Sequence, residues 1–526
     1  MNYGSGLSNT CLRGVVTLLL GTVLSTFAMV TKAEFGVQVG AFANRSNAER
    51  VLTRLGVAGF TNVRLWIIGR PTQTLTTVLV GPYSRREQAR QVQAALVAIG
   101  LRCIISTYPV ALLVQPYSPR TEPESAPAIR QPAPPTKSVS KPATSTVKDT
   151  RLEWSGYVAS EYRSFFNSPV DPRQRDDNFS VALEPELYYE WNSGNDSFTF
   201  VPFFRLDQHD NERTHFDIRE LTWLTARDGW EIRAGVRKVF WGVTESLHLV
   251  DVINQTDLVE NIDTEDKLGQ LMVNYALIRD WGTLDLFILP YFRERTFPGS
   301  EGRLRMSPRV DTDDAIYESS RDKKHIDLAG RWSHTKGDWD WGVSHFAGTS
   351  RDPRFTPGAR AGGEMVMIPV YDQIDQTGLD VQATKGPWLW KMEAIRRSGQ
   401  GAIFFAGVAG FEYTFFSAFD TALDVGLVTE YLYDDRPKEV EPPFADDLFA
   451  GIRLALNDVQ STQALVGCIF DLSTSARACN LEANRRLGDR WVFELEVRSF
   501  QEIPEDDPLF TLRRDDYAQL QLSYHF

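Results

Sequence analysis

One feature of residues 152–526 limits their fold more than any other: apolar and polar side chains alternate over many short segments. In 179–191 the odd positions are Phe, Val, Leu, Pro, Leu, Tyr and Trp, whereas three of the even positions are Glu. The same period of two recurs in 423–433 and 493–497. Successive side chains of a strand point to opposite faces. These segments are therefore predicted to be strands with one apolar and one polar face.

The lengths of the connections add a second constraint. About 18 strands fit the alternation, and every second connection between them is short. The short connections are 192–196, 227–229, 279–282, 335–338, 385–386, 416–419, 457–462 and 485–490. The other set includes the long segments 167–177, 241–268, 293–323, 348–376, 434–446 and 501–515. Soluble β-proteins have no reason to sort their loops in this way. We therefore predict a mainly β chain in which 151–526 form a transmembrane antiparallel β-barrel.

The end of the sequence supports a bacterial outer-membrane location. Leu520, Leu522, Tyr524 and Phe526 alternate down to a terminal aromatic residue. This pattern resembles the assembly signal of outer-membrane barrels. The resemblance implies that Leu522, Tyr524 and Phe526 are recognised by the barrel-assembly machinery. The 13 Trp residues suit the aromatic belts that such barrels place at both membrane interfaces.

The first 33 residues have the order of a secretory signal peptide. Arg13 precedes an apolar stretch at 15–27, and the small residues Thr31 and Ala33 follow it. The stretch is shorter than the about 20 residues that a spanning helix needs, although a short membrane anchor is the alternative. The net charge of −13 argues against a nucleic-acid partner. We predict export to a Gram-negative-type envelope.

Residues 34–108 contain two similar halves, and each predicts a strand, a helix and a strand. The first half begins with Val-Gln-Val-Gly-Ala-Phe at 37–42, and the second with Val-Leu-Val-Gly-Pro-Tyr at 78–83. A Ser-x-x-Glu capping box follows each, at Ser46 and Ser84, and predicts a helix start. Gly56 and Gly100 lie near the predicted helix ends. The expected fold is a small α+β domain of order βαββαβ.

These elements resemble the SPOR family. The resemblance implies a periplasmic domain that binds peptidoglycan glycan strands lacking stem peptides, through the sheet face opposite the helices. By motif position Gln38 is the main residue carried over. Phe42, Trp66 and Tyr83 are further candidates for glycan binding, although aromatic residues at these positions also suit a domain core.

Residues 109–150 are rich in Pro, Ser, Thr and Ala and lack apolar periodicity. Such a segment buries too little apolar surface to fold. We predict a disordered linker that spans at most roughly 120 Å, at about 3.1 Å per residue for extended chain. That length reaches the cell wall from the membrane.

No catalytic motif is present, so an enzyme, a cofactor and a metal site are not expected. The sequence contains no Gly-x-Ser-x-Gly, no His-Glu-x-x-His and no phosphate-binding loop. His209 and His215 are expected to lie in a solvated loop. An outer-membrane enzyme remains the least favoured alternative.

The polar positions of the barrel predict a charged lumen. Arg205, Arg219, Arg233 and Arg237 point inward from three neighbouring strands, and an acidic connection follows them. Other porins place a basic wall opposite an acidic loop that narrows the pore, and Phe240-Trp241-Gly242 resembles a segment of uncharacterised porin-like families. The alternative is a solvated extracellular loop. The predicted pore-lining acids of this loop are Glu245, Asp251, Asp257 and Glu260.

Two cysteines are predicted to face each other across adjacent strands. If Ser473 and Thr474 form a two-residue turn, Cys468 and Cys479 are directly opposite. The exported route permits a disulfide. Two unbonded small side chains are the alternative.

The leading functional hypothesis is an outer-membrane channel for small polar solutes that is tethered to peptidoglycan. The alternative is a structural tether whose barrel is plugged. The solute and the oligomeric state are not specified by the sequence.

Overall fold

The structure is a computed structural model that describes residues 33–42, 55, 60, 63–70, 73–83, 92, 96, 104–109, 150–360, 362–437 and 442–526. Nearly all of the predicted signal peptide and of the predicted linker lie outside these residues. The chain divides into two compact units. No helix among the described residues is both long and apolar enough to cross a membrane.

The N-terminal unit contains a four-stranded antiparallel sheet. Its strands in spatial order are β2 (Val63–Arg70), β3 (Gln73–Tyr83), β1 (Ala33–Phe42) and β4 (Ile104–Pro109). The residues Leu55, Val92 and Leu96 are helical, and the remaining residues of both predicted helices lie outside the described part. Leu55 and Leu96 are fully buried with Val37, Val78 and Val80 of the sheet, so the helical residues cover one sheet face.

The second unit is a closed antiparallel barrel of 18 strands. Each strand pairs with the next along the chain, and the last pairs with the first. The strands are β5 (Arg151–Phe165), β6 (Asp177–Trp191), β7 (Asp196–Asp207), β8 (His215–Arg227), β9 (Trp230–Arg237), β10 (Gln270–Arg279), β11 (Gly282–Leu289), β13 (Asp327–Lys336), β14 (Trp339–Thr349), β17 (Gln373–Lys385), β18 (Trp388–Ser398), β19 (Phe404–Phe415), β20 (Asp424–Asp434), β21 (Asp446–Ala455), β22 (Gln463–Asp471), β23 (Arg477–Leu487), β24 (Trp491–Gln501) and β25 (Tyr517–His525). The predicted mainly β chain with a barrel of about 18 strands is confirmed.

Closure removes both edges of the sheet. Strand β25 pairs with β5 from Tyr517 opposite Phe165 to His525 opposite Tyr157. Every strand thus has two hydrogen-bonded neighbours, which a polypeptide needs in hydrocarbon because no water is available to its backbone.

The connections are sorted between the two rims. Tight connections occupy one end, here called the turn rim, and the long segments 238–269, 290–326 and 350–372 occupy the other, the loop rim. Two details of the turn predictions were wrong. The connection after β19 extends to residue 423 and contains a 3-10 helix (Ala418–Asp420), and 472–476 form a longer connection than a Ser473-Thr474 turn. The side chain of Asp471 shapes the latter by accepting hydrogen bonds from the amides of Ser473 and Thr474.

The long segments contain further secondary structure. Strands β12 (Ile316–Tyr317), β16 (Met365–Tyr371) and β15 (Arg354–Ala359) form a small sheet in that order at the loop rim. Two 3-10 helices, Asp322–Lys324 and Pro508–Leu512, also belong to loop-rim connections.

Outward-facing side chains of the barrel are mostly apolar. Along β10, for example, Leu271, Val273 and Tyr275 are exposed, whereas Met272 and Asn274 between them are buried inside. Near the turn rim, aromatic rings of adjacent strands are in contact on the outer surface. The residues in contact are Trp388, Trp390, Phe411, Tyr413 and Phe415. An apolar outer band bordered by aromatic residues is the surface that a bilayer requires of a barrel.

Candidate functional site

The connection 238–269 between β9 and β10, here called the inner loop, lies within the barrel. Val250, Val252 and Ile253 are nearly or completely buried. They pack with Trp241 in a lumen core that includes inward-facing residues of seven strands. These wall residues are Met272, Phe287, Leu289, Ala329, Phe346, Ile374, Ile395, Phe404 and Ala406. The first half of the inner loop is therefore held by apolar contact with the wall.

Two wall carboxylates bind the backbone of this first half. Glu393 on β18 is fully buried, and one of its oxygens, Oε1, accepts hydrogen bonds from the amides of Val243 and Thr244 and from the Thr244 hydroxyl. Its Oε2 accepts a bond from the amide of Val250. These four bonds satisfy three amides and one hydroxyl that burial would otherwise leave without a partner.

Glu430 on β20 binds the next two residues of the inner loop in the same way. Its carboxylate accepts hydrogen bonds from the amides of Glu245 and Ser246 at 2.8 Å and from the Ser246 hydroxyl at 2.6 Å. Hydrogen bonds to a charged acceptor are about twice as strong as neutral ones. Glu393 and Glu430 thus fix residues 243–250 against the far wall.

The second half of the inner loop is held by buried ion pairs with β7 and β8. Arg205 binds Glu260 at 2.6 Å, and Arg219 binds Asp257 at 2.7 Å. All four groups have side chains no more than 7% exposed. The guanidinium of Arg219 also lies 4.4 Å from the ring centre of Phe203, a cation–π contact. The structure therefore brings together four of the eight residues predicted to line the pore.

The other two predicted arginines do not contact the loop carboxylates. Arg233 pairs with Glu231 on its own strand, and Arg237 donates a hydrogen bond to Asn274 of β10 at 3.1 Å. Only the backbone of Arg237 touches the inner loop, where its carbonyl accepts a hydrogen bond from Asn254. Both arginine side chains are half-buried on the inner wall.

The remaining two predicted acids have separate partners. Burial opposes ionisation of Glu245, but Arg453 at 2.6 Å and Lys391 at 3.5 Å outweigh it, so the pKa of Glu245 is lowered. Asp251 pairs with Lys267 of the same loop at 3.2 Å, yet burial still raises the pKa of Asp251 above its ordinary value. Glu245 therefore joins the loop to β18 and β21, whereas Asp251 stabilises the loop internally.

The expectation for His215 was wrong. It is the first residue of β8, half-buried, and its Nε2 lies 3.5 Å from Glu260. Together His215, Asp257 and Glu260 hold three possible metal-ligand atoms within 4.8 Å. Arg205 and Arg219 already bind the two carboxylates, so the charge of this group is compensated by protein.

A second connection, 290–326, also bends across the loop rim. The guanidinium of Arg303 donates to Asp515 at 2.7 Å and to the carbonyl of Asn167. Leu304 packs beside Phe165 and Tyr517 on the strands that close the barrel. The same connection borders a cavity of about 670 Å³ lined by charged residues. This segment narrows the mouth above the inner loop.

Glu393, Glu430 and the lumen core were not predicted from the sequence. The inward position of Glu430 on its strand was visible in the alternation. The partners of both carboxylates are backbone amides, which carry no sequence signal, and this is why their role was missed.

The N-terminal sheet separates the predicted glycan-binding residues by backbone pairing. Gln38 pairs with Leu79, and Leu79 pairs with Arg64, so these positions form one row across three strands. Trp66 pairs with Thr77, two residues along β3 from Leu79, and so lies on the same face as that row.

The other two candidates lie on the opposite face. Phe42 pairs with Thr76, on the face of the buried Val78 and Val80. Tyr83 is half-buried against the core of the N-terminal unit.

The predicted assembly signal lies on the last strand of the barrel, and the two cysteines lie on a neighbouring hairpin. Leu522 and Phe526 are exposed on the barrel exterior, and Tyr524 packs against Trp491 with ring centres 5.0 Å apart. Cys468 and Cys479 pair directly across β22 and β23 and are joined by a disulfide with an S–S distance of 2.11 Å.

An 18-stranded closed barrel with an apolar exterior and a charged interior defines a porin-like outer-membrane β-barrel. Earlier in the sequence, residues 31–107 match the SPOR domain family. The predicted SPOR domain, barrel class and outer-membrane location are thereby confirmed.

The chain is similar to solved structures that include a porin and another outer-membrane protein. A triple mutant of the Rhodopseudomonas blastica porin has a TM-score of 0.35 at 11% identity, over 72% of this chain and 100% of that chain. OmpT, an outer-membrane protein of Vibrio cholerae, has a TM-score of 0.38 at 10% identity, over 72% of this chain and 99% of that chain. The sequence matches no curated protein.

Proposed function

We propose that the barrel is a channel for small polar solutes, constricted by the inner loop and tethered to the cell wall by the N-terminal domain. The observation that carries this proposal is the solvent-accessible, charged inner wall beside the loop. Inward-facing residues of β6, β8, β9, β23 and β24 are polar and only partly buried. They include Glu184, Glu186, Glu220, Arg233, Arg486 and Glu494. Ionised groups that keep part of their surface accessible inside a barrel are in contact with water, because complete burial of a charge costs several kcal/mol.

The direct test is single-channel recording in planar bilayers. The wild-type chain should conduct steadily, and deleting residues 245–265 should raise the conductance because the deletion removes the constriction. If the intact barrel and the deletion variant conduct equally, the inner loop is not the constriction.

Ion selectivity tests the two wall arginines that do not bind a loop carboxylate. Replacing Arg233 and Arg237 with Glu should shift preference towards cations, because neither side chain is occupied by a loop carboxylate. Arg279→Glu is the matched control, since Arg279 is exposed at the turn rim and binds the carbonyl of Gly229. The control should leave selectivity unchanged; an equal shift in both variants would mean that the charge acts at the rim and not in the lumen.

One observation favours the second candidate, a plugged structural anchor. Arg303 crosses the mouth and is buried against Asp515, so two connections obstruct the same path. A plugged barrel would not conduct until the inner loop is deleted. Recording both chains under one protocol separates the candidates, because only the channel conducts in the wild type.

We also propose that the N-terminal domain binds stem-peptide-free glycan strands through the sheet face that carries Gln38 and Trp66. Support comes from the SPOR match and from the backbone row that places both residues on the face opposite the buried core. The full chain in detergent should sediment with amidase-treated sacculi.

Gln38→Ala should weaken this sedimentation, whereas Gln73→Ala, a control at the start of β3, should not. Equal sedimentation of both variants would remove Gln38 from the binding face. Failure of the wild type to sediment would end the tether proposal.

A further inference from the structure

The lipid-facing surface of the barrel is mostly apolar, and in one sector several small or polar residues lie side by side. Residues that pair across neighbouring strands form rows around the barrel, and one row passes through β11, β13, β14, β17, β18 and β19. Its members are Leu286, Gly330, His345, Thr377, Arg396 and Phe405. The two ends of the row are exposed apolar residues, but the four positions between them are small or polar.

On β13 this row lies inside the apolar surface. One row nearer the loop rim, Leu328 pairs with Ala347 and is still 52% exposed. On the same strands, Phe346, Gln376 and Ile395 are buried on the lumen side, so their neighbours His345, Thr377 and Arg396 face outward.

The outward polar groups are joined weakly to one another. The Nδ1 atom of His345 lies 3.0 Å from the Thr377 hydroxyl, and its Nε2 lies 3.7 Å from Asp375 in the row above. The side chains of His345 and Asp375 are 57% and 65% exposed. We call Gly330, His345, Asp375, Thr377 and Arg396 the polar sector.

Contact between the polar sector and lipid would be energetically unfavourable. A basic residue on the lipid face of a barrel costs about 2–4 kcal/mol at the midplane, and less towards the interface. Ionisable residues in this environment are usually paired with another protein group. On the opposite side of the barrel, by contrast, the exposed residues at the loop-rim ends of β7 and β8 are Phe204, Leu206 and Phe216.

Two glycines of this surface also favour contact with another molecule. A Cβ added at Gly330 would have its nearest neighbour at 3.5 Å, as would one at Gly407 on the adjoining surface of β19. Those are ordinary contacts, so the packing of the barrel does not require glycine at either position. Small outward residues permit another surface to approach closely.

We propose that the polar sector is a contact surface between copies of this chain in the membrane. The sector carries both a guanidinium, Arg396, and a carboxylate, Asp375. A second copy packed by symmetry would present the complementary charge to each. A phosphorylated lipid would complement Arg396 but would repel Asp375. This inference holds whether the barrel conducts or is plugged.

Cross-linking in outer membranes tests the surface directly. In a chain with Cys103→Ser, Thr377→Cys should give a two-chain product with a short bis-maleimide. Leu206→Cys, on the opposite side at β7, is the matched control because it is exposed to 69% and should give none. No product from Thr377→Cys, or equal product from both variants, would overturn the proposal.

Particle mass gives the second measurement. The wild type in detergent should have the mass of two or more chains, and His345→Leu/Arg396→Leu should reduce it to one. A heat-shift gel must show that the variant barrel is still folded, and Leu206→Val should leave the mass unchanged. A single-chain wild type, with or without a bound phosphorylated glycolipid, would reject the contact surface, as would an unchanged mass in a folded double variant.

Discussion

The two halves of the inner loop are held in the same lumen by different forces. Residues 241–253 bury apolar side chains in the lumen core and direct their amides at two wall carboxylates. Residues 257–260 present their own carboxylates to the wall arginines Arg205 and Arg219. In the first half Glu393 and Glu430 of the wall supply the negative charge, apart from the loop carboxylate of Glu245, whereas in the second half the loop supplies it.

The difference teaches how a charged lumen positions a loop without a single dominant bridge. Contacts of apolar side chains are insensitive to salt. Hydrogen bonds that backbone amides donate to a carboxylate do not depend on the sequence of the loop. Ion pairs depend on both partners, and their strength depends on burial. Substitutions in each half of the inner loop should therefore have different effects on conductance and on stability.

The largest effect is expected from Glu393→Leu. The substitution removes all four hydrogen bonds that Glu393 accepts from the first half of the loop, and each such bond to a charged group contributes about 1.5–3 kcal/mol. We expect the loop to leave the lumen, with a higher and noisier conductance. Glu494→Leu is the control for loss of a wall carboxylate that accepts no described hydrogen bond from the inner loop, since its described partner is Gln521. Unchanged current in Glu393→Leu would show that the lumen core alone holds the loop.

Breaking a buried pair in the second half should cost about 3–5 kcal/mol. Arg219→Met leaves Asp257, which is fully buried, without its guanidinium partner. The thermal unfolding temperature of the barrel should fall, and Arg219→Met/Asp257→Leu should recover most of it because no unpaired charge remains. A double variant as unstable as the single one would assign the loss to packing against Phe203 instead of to charge.

Removing the Trp241 side chain should disturb the first half of the inner loop less than Glu393→Leu does. Trp241→Ala opens a cavity in the lumen core, and a truncation of this kind costs about 3 kcal/mol in a well-packed interior. Protease cleavage of the inner loop should become faster, while the unfolding temperature changes less than in Arg219→Met. Trp339→Ala, at an exposed position on β14, controls for loss of a tryptophan. Equal cleavage rates in both variants would contradict the role of the lumen core.

The smallest effect is expected at Glu245. Its pair with Arg453 is only partly buried, and exposed pairs contribute about 0–1 kcal/mol. Glu245→Gln should change conductance only at low salt, because about 1 M salt screens charges beyond roughly 3 Å. Recording at both salt concentrations measures this difference. A large effect that persists at high salt would indicate that the charge of Glu245 acts in the buried region.

The barrel itself was predictable because its signals are local. Alternation such as that of 179–191 follows from the two faces of a strand, and the sorting of short and long connections follows from antiparallel order. The pairing of Cys468 with Cys479 depended only on the symmetry of one hairpin, so it was correct although the turn between them was not.

The candidate site was predictable only in part. The period of two predicts that Arg205, Arg219, Arg233 and Arg237 all face inward. It specifies only the face of a strand and not the contacts of each side chain. Which of them meets a loop carboxylate depends on the path of residues 238–269 through the lumen.

The sequence by itself determined the strands, their two faces, the approximate size of the barrel and the resemblance of its N-terminal domain to SPOR. Each of these depends on neighbours along the chain or on a short motif. The tertiary structure alone decided that Glu393 and Glu430 hold the inner loop, that Arg233 and Arg237 remain free of it, and that one outward sector is polar. The hydrogen bonds of Glu393 and Glu430 join residues more than 100 positions apart through backbone amides, and the polar sector depends on rows of paired strands. Such contacts come into existence only when the barrel closes.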